Sequence, residues 1–555
     1  MMMQIRYTRN PVRVGRRSVL GLGVAIASTM FAVVAEEPPG GREPAIVVRA
    51  VRPDRQAAAV LKLFSGARSP HPAAAMAAWR RATADISQIG KPLQAVAAFF
   101  NPQMIGEWKA FDDAEAAVGF ESATGNPFWR VFAPVDDGTL SALITSLRLS
   151  GGENEPPVAE PPVVVERLGG PGSPVGARLP EGVAFAGRRA DLVLAVDRLR
   201  ARAARGNESD PKASEPLALG ADGSGFRLTF DPDRLAPTGG ANLTLLRIAT
   251  AARAGGVQTT VGLFALEDDH LDLNLSTKLD PERLPAADGE QAIVDPSWLA
   301  CVPAEHAQAV VTIALGRGAG FWNRLFDVAD RVDRADPARA QLAPLRVRLN
   351  FLAMARGVRL EADLWPSLRG VTIAALRQPG GASGVLLALH SDRTEDAERI
   401  LARVVRPLSA LLGGGKLAEG SKTVALGRVS GHPLVAAVRG STVIVGWGDG
   451  TLDLGLRSID RPEQSAAVVL GGAKADAGGR PTSRAGIYWP GRLVLPFKGF
   501  VLESPLNVTM SQGAPVVWQG GEEGGRAWDL VRWPDLRRLV ARFLDRVPQS
   551  PPDTP

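Results

Sequence analysis

The chain reads as one pattern written twice, and that constrains its fold more than any other feature. A duplicated pattern implies two units of like element order, each burying the apolar face that a single element leaves open. The stretch AEAAVGFESATGNPFWRVFAPVDDGTLSALITSL runs strand, turn, strand, helix. Its turn is Thr124-Gly125-Asn126-Pro127, and Asp137 is placed to cap the helix. The later stretch LRGVTIAALRQPGGASGVLLALHSDRTEDAERILARVV repeats that order and turns at Gln378-Pro379-Gly380-Gly381. Its helix carries Ala397, Ile400, Leu401, Val404, Val405 and Leu408 at helical spacing.

The next units pair as well. PVVVERLGGPGSPVGARLPEGVAFAGRRADLVLAVDRL and KTVALGRVSGHPLVAAVRGSTVIVGWGDGTLDLGLRSI each give three short strands and a helix, the second with Asp449 as its expected N-cap. GFRLTF matches RAGIYW, the hairpin VQTTVGLFALEDDHLDLNLSTKL matches APVVWQGGEEGGRAWDLVRW, and AIVVRAV opens the first half as AVVTIAL opens the second. The expectation is an α+β protein of two tandem copies, 40–290 and 300–548, joined by a linker near Pro285–Pro303. Alternating apolar and polar positions predict antiparallel sheets with helices packed on one face. A final helix from Pro534, with Leu536, Leu539, Val540, Phe543 and Leu544 on one side, is expected to dock on the second copy.

Ahead of the copies stands an export signal over residues 1–35. Arg6, Arg9, Arg13, Arg16 and Arg17 precede an apolar run from Ser18 to Val34, and Val33-Val34-Ala35 offers a cleavage site after Ala35. Arg16-Arg17 with Ser18, Val19 and Leu20 resembles a twin-arginine signal, which exports folded bacterial proteins. The run is short and rich in small residues for a stable span of about 20 residues. Cleavage releases the protein to the periplasm or medium, whereas an uncleaved segment tethers it to the membrane. Five of the six net positive charges sit in this segment, so the remainder is nearly neutral and gives no nucleic-acid footprint. Gly21-Leu22-Gly23 follows no strand, so it is no dinucleotide loop. Cys301 is the one cysteine, which excludes an intrachain disulfide and any Cys-based metal cluster.

Several short motifs resemble an uncharacterised "domain of unknown function" family of exported bacterial proteins with a repeated α+β plan. They are Val302-Pro303-Ala304-Glu305, then Leu364, Pro366, Leu368, Gly370 and Val371, then Val438, Gly440, Val443 and Ile444. The resemblance implies secretion and the repeat, and brings no catalytic residues.

The chemistry-bearing residues are sparse. The histidines are His71, His270, His306, His390 and His432, with no H-E-x-x-H spacing. Glu267-Asp268-Asp269-His270 has metal-ligand chemistry, but four consecutive residues in a hairpin turn point apart and read as a solvated turn. The equivalent turn, Glu522-Glu523-Gly524-Gly525, has no histidine. Ser391 beside His390 reads as a helix cap rather than a nucleophile. Ser209-Asp210-Pro211-Lys212 lies in a Pro-containing linker, and Gly413-Gly414-Gly415-Lys416 lacks the Ser or Thr of a phosphate loop. Phe128-Trp129 and Phe321-Trp322 read as core. Trp518, Trp528 and Trp533 mark a candidate ligand groove, and Asp268, Asp269 and His270 a candidate polar surface. No cofactor or metal is expected.

The leading expectation is an exported, non-enzymatic binding or scaffolding module of the cell envelope. Its partner would be an envelope protein or polymer, not nucleic acid, and membrane contact would run only through an uncleaved N-terminal segment. Two other readings stand beside it: an exported hydrolase of envelope or extracellular polymer, and a carrier of an apolar ligand.

Overall fold

The computed structural model describes residues 46–51, 55, 59, 62, 113–120, 127–133, 154–158, 162–167, 175–205, 224–234, 243–267, 270–282, 292–316, 320–335, 347, 350, 351, 353–378, 381, 383–409, 423–472, 480–489, 492 and 514–546. The export signal with Arg16, Arg17 and Ala35 lies outside them. So do the proposed cap Asp137, Asp268, Asp269, His71, Ser209–Lys212 and Gly413–Lys416.

The described residues hold a nineteen-stranded sheet. In the first half its strands are β1 (Ile46–Val51), β2 (Asp113–Phe120), β3 (Pro127–Ala133), β4 (Asn154–Val158), β5 (Val163–Arg167), β6 (Val175–Leu179), β7 (Gly182–Ala186), β8 (Gly225–Phe230), β9 (Val257–Glu267) and β10 (His270–Leu279). The second half supplies β11 (Ala307–Ala314), β12 (Gly370–Arg377), β13 (Ser383–His390), β14 (Thr423–Val429), β15 (His432–Arg439), β16 (Thr442–Trp447), β17 (Arg484–Tyr488), β18 (Val516–Glu523) and β19 (Arg526–Trp533).

Every pairing is antiparallel. From one edge the neighbours run β4, β5, β6, β7, β3, β2, β1, β8, β9, β10. There β10 pairs with β19. The order continues β19, β18, β17, β11, β12, β13, β16, β15, β14. Setting β4 aside, each half lays out a meander (β5–β7; β14–β16), a hairpin (β3–β2; β13–β12), its opening strand (β1; β11) and a closing run (β8–β10; β17–β19). The fold is α+β with an antiparallel sheet, as the alternating pattern requires.

Local chemistry fixes the turns. Ser430 and Gly431 both have positive φ between β14 and β15, as a two-residue hairpin demands. At the β12–β13 turn the Gly381 N–H donates to the Gln378 carbonyl at 2.9 Å. One expected cap differs. The helix Thr451–Asp460 has Gly450 as its N-cap, with left-handed φ and no side-chain bond, so Asp449 stands one residue too early.

Helices cover both faces of the second-half sheet, not one. Helix Thr451–Asp460 and the turn Pro296–Cys301 bury Leu452, Leu454, Leu299 and Cys301 against Leu386, Ala388 and Ala374. Helix Thr394–Ile400 buries Ala397 and Ile400 on the opposite side, with Val443, Leu389 and Val371. The reason lies in the strands. VLLAL in β13 and VIV in β16 are continuous apolar runs, which suit burial on both faces. In the first half, helix Arg189–Arg205 packs Leu192, Ala195, Val196 and Leu199 on β3, β5, β6 and β7.

Two further expectations change. The Pro285–Pro303 linker ends in core, because Leu299, Cys301 and Val302 are buried under the second-half sheet. The closing helix Leu536–Arg546 contacts β10, the last strand of the first half, because β10 is the neighbour of the β19 strand it follows. Among the described residues no helix is long and apolar enough to cross a membrane.

Candidate functional site

The β10–β19 seam brings together His270, Trp528 and Trp533 from among the residues singled out in sequence. Strand register carries them there. Leu271 lies opposite Trp533, Asp272 opposite Arg532, and Ser276 opposite Trp528. Trp518 lies opposite Val531. Directly opposed residues share a sheet face, and successive residues alternate. Trp518 and Trp533 therefore lie on one face with Leu271, Leu273 and Val531. Trp528 lies on the other face with His270, Asp272 and Arg532. The three tryptophans do not form one groove, because Trp528 and Trp533 differ by an odd number of strand positions. Trp528 is buried, with the Arg480 guanidinium 5.9 Å from its ring.

On the polar face, His270 Nε2 lies 3.5 Å from Glu267 Oε2 and 3.5 Å from Asp272 Oδ2. These are electrostatic contacts rather than hydrogen bonds, since Nε2 has no hydrogen-bond partner. Asp272 accepts two bonds from Arg532, from Nε at 2.8 Å and Nη2 at 2.7 Å. That hydrogen bond, first among the causes, raises the Arg532 pKa above its ordinary value. The planar fork suits the carboxylate, so Asp272 is already neutralised. The cluster clasps the halves, with His270 and Asp272 from one and Arg532 from the other. Among the described residues no group of three or more His, Cys, Asp or Glu is arranged to hold a metal ion.

A second polar site was not foreseen. His390 ends β13 and is buried. Thr372 Oγ1 donates to Thr312 Oγ1 at 2.9 Å. It therefore accepts from His390 Nε2, 2.9 Å away. That places the ring proton on Nε2 and leaves Nδ1 to accept from Thr442 Oγ1 at 3.1 Å. Trp298 stacks on the imidazole at 5.0 Å, with the rings 7° from parallel. Gly370 makes room for it, since a Cβ there would lie 2.2 Å from the indole. Burial is the main cause that drives the His390 pKa down to about 3, against a smaller opposing pull from Asp295. The ring stays neutral. Both nitrogens are engaged by threonines, so His390 forms no dyad with Ser391. Ser391 is not a helix cap either. Its hydroxyl reaches the Ser441 and Arg393 carbonyls, and the next helix has Arg393 at its N-cap. Thr312, Thr372 and Thr442 lie on three different strands, and only register brings them to His390.

The other candidates have structural places. His306 Nδ1 meets the Arg377 carbonyl at 3.0 Å, and His432 packs edge-on against Trp447. Cys301 is buried with its thiol pushed up to about 12, which leaves it protonated and inert. Trp322 stacks on Trp365. Phe128 and Trp129 lie on β3. Glu522 pairs with Arg324 at 2.7 Å.

The face that holds Trp518 carries an apolar row. Following opposed residues from strand to strand gives Ala436, Val445, Leu387, Ile373, Val311, Gly486, Trp518, Val531, Leu273, Phe264 and Phe226. No polar side chain interrupts the row. Val311 is 40% exposed and Ile373 51%, although they face each other near its middle. Trp518, Val531, Leu273, Phe264 and Phe226 are half-buried. Charges beside the row are paired, as in the Arg484–Asp529 bridge at 2.8 Å.

No family model matches the chain, and no curated protein matches it. Among solved structures, chains of TP0453 in crystal forms IV and III align with TM-scores of 0.23 at 10% and 11% identity. They cover 46% and 44% of this chain, and 86% and 81% of those chains. Overlap at that level supports no inference about this molecule.

Proposed function

We propose that this is an exported, non-enzymatic binding protein of the cell envelope, and that it holds an apolar ligand on the part of one sheet face that its helices leave uncovered. The observation that carries this reading is the unbroken apolar row through Trp518, Val311 and Ile373, with its middle exposed. Leaving such residues in water costs about 1.5–3 kcal/mol per large side chain relative to burial. A contiguous apolar surface of this kind marks a binding site. The titratable groups beside the sheet point the same way: Asp272 is neutralised by Arg532, and the His390 ring is fully occupied.

The proposed architecture is two tandem α+β copies, 40–290 and 300–548, merged edge to edge at β10 and β19. The matching strand orders of the halves support it. Export rests on residues 1–35 with Arg16-Arg17 and a cut after Ala35. On this reading the merged copies widen the sheet so that one ligand surface crosses the seam.

The test is extraction of protein purified from its native host, followed by mass spectrometry of the apolar fraction. A co-purifying lipid-like molecule near stoichiometric amount is expected. Protein that carries none, and binds none when offered, contradicts the reading.

A further inference from the structure

The three most exposed large apolar side chains among the described residues stand close together. They are Met354 at 72%, Phe351 at 70% and Val347 at 66%. All three are helical, and their spacing puts them on one face. The opposite side of the same turn is fixed. The Val358 N–H donates to the Ala353 carbonyl and the Gly357 N–H to the Met354 carbonyl, both at 2.9 Å. Gly357 takes the left-handed φ of 71° that this helix ending requires. Ala353 and Val358 are both buried in the core beneath. The stripe is thus held outward by an anchored helix end.

The charge around it is one-sided. From Arg346 to Arg359 the sequence holds four arginines and no acidic residue. Arg356 and Arg359 are exposed. Beyond them Glu361 is exposed, while Asp363 is turned inward and accepts from the Arg359 amide at 2.8 Å.

We infer that this stripe docks on an anionic lipid bilayer, with Val347, Phe351 and Met354 entering the interface and Arg356 and Arg359 meeting the headgroups. An apolar helix face beside cationic residues is the chemistry of interfacial attachment. The inference gives the protein a membrane contact that does not depend on the N-terminal segment. It stands apart from the sheet-face reading, which could fail without affecting it.

The test uses the full chain with Phe351→Cys carrying an environment-sensitive bimane label. Cys301 is buried with a raised thiol pKa and will not compete. A second protein carries the label at Val468→Cys, which is also exposed. Adding mixed phosphatidylcholine–phosphatidylglycerol vesicles should blue-shift the label at 351 and leave that at 468 unchanged. Because the readout is local, an anchored N-terminus cannot mimic it. Replacing both Arg356 and Arg359 with alanine should weaken the response about thirty-fold, at roughly 1 kcal/mol per arginine near an anionic surface. No shift at 351, or equal shifts at both positions, overturns the inference.

Discussion

His390 and His270 both sit at strand ends on the same sheet, yet they live in opposite electrostatic worlds. His390 is sealed beneath Trp298, its nitrogens satisfied by Thr372 and Thr442, and it stays neutral. His270 stands at the tip of a hairpin, partly exposed between Glu267 and Asp272. A histidine's surroundings, not its neighbours in sequence, decide its role. Burial with both ring nitrogens satisfied makes a structural hub. Partial exposure beside carboxylates makes a surface clasp.

The largest effect expected is at the sealed site. Gly370→Val places atoms inside the Trp298 ring and should cost about 3 kcal/mol or more in denaturant unfolding, by overpacking. Next is His390→Leu, which leaves the buried hydroxyls of Thr372 and Thr442 without their ring partner. A loss of about 2–3 kcal/mol is expected.

The same residue gives a pH signature. The folded His390 pKa lies near 3, below the ordinary value of 6.5. Between those values the unfolded chain binds a proton that the native chain does not. The contribution is therefore complete above pH 6.5 and is lost as pH falls toward 3. A single such proton gives a slope of about 1.4 kcal/mol per pH unit. Stability measured across that window should lose this slope in His390→Leu and keep it in His270→Leu. Equal slopes in both variants would erase the contrast.

At the clasp the effects are smaller. Arg532→Ala breaks a part-exposed pair and should cost about 1 kcal/mol or less, with the loss shrinking as salt is added. A penalty as large as that at Gly370 would mean that the clasp, and not the packed core, holds the halves together.

Much of the element order was legible in the sequence, because it rests on local signals. The Ser430-Gly431 turn and the Gln378–Gly381 turn carry their own backbone chemistry. The errors came where local rules compete with burial. The Pro285–Pro303 stretch reads as a linker, but Leu299 and Val302 needed covering. The expectation of helices on one face failed because β13 and β16 are apolar on both faces. The candidate site was legible only in pieces. His270 and Arg532 are far apart in the chain, and the pairing that joins them is non-local. The same holds for the three threonines on His390. Trp528 and Trp533 were read as a group, but strand parity separates them.

The row through Val311 and Ile373 is proposed to bind an apolar ligand. The most direct measurement is titration with a fluorescent fatty acid, comparing the unaltered protein with Ile373→Asp and Val468→Asp. Both positions are exposed, so neither change should shift unfolding by more than about 0.5 kcal/mol. Saturable binding is expected, abolished by Ile373→Asp and left intact by Val468→Asp. Equal binding by all three proteins, or none by any, would contradict it.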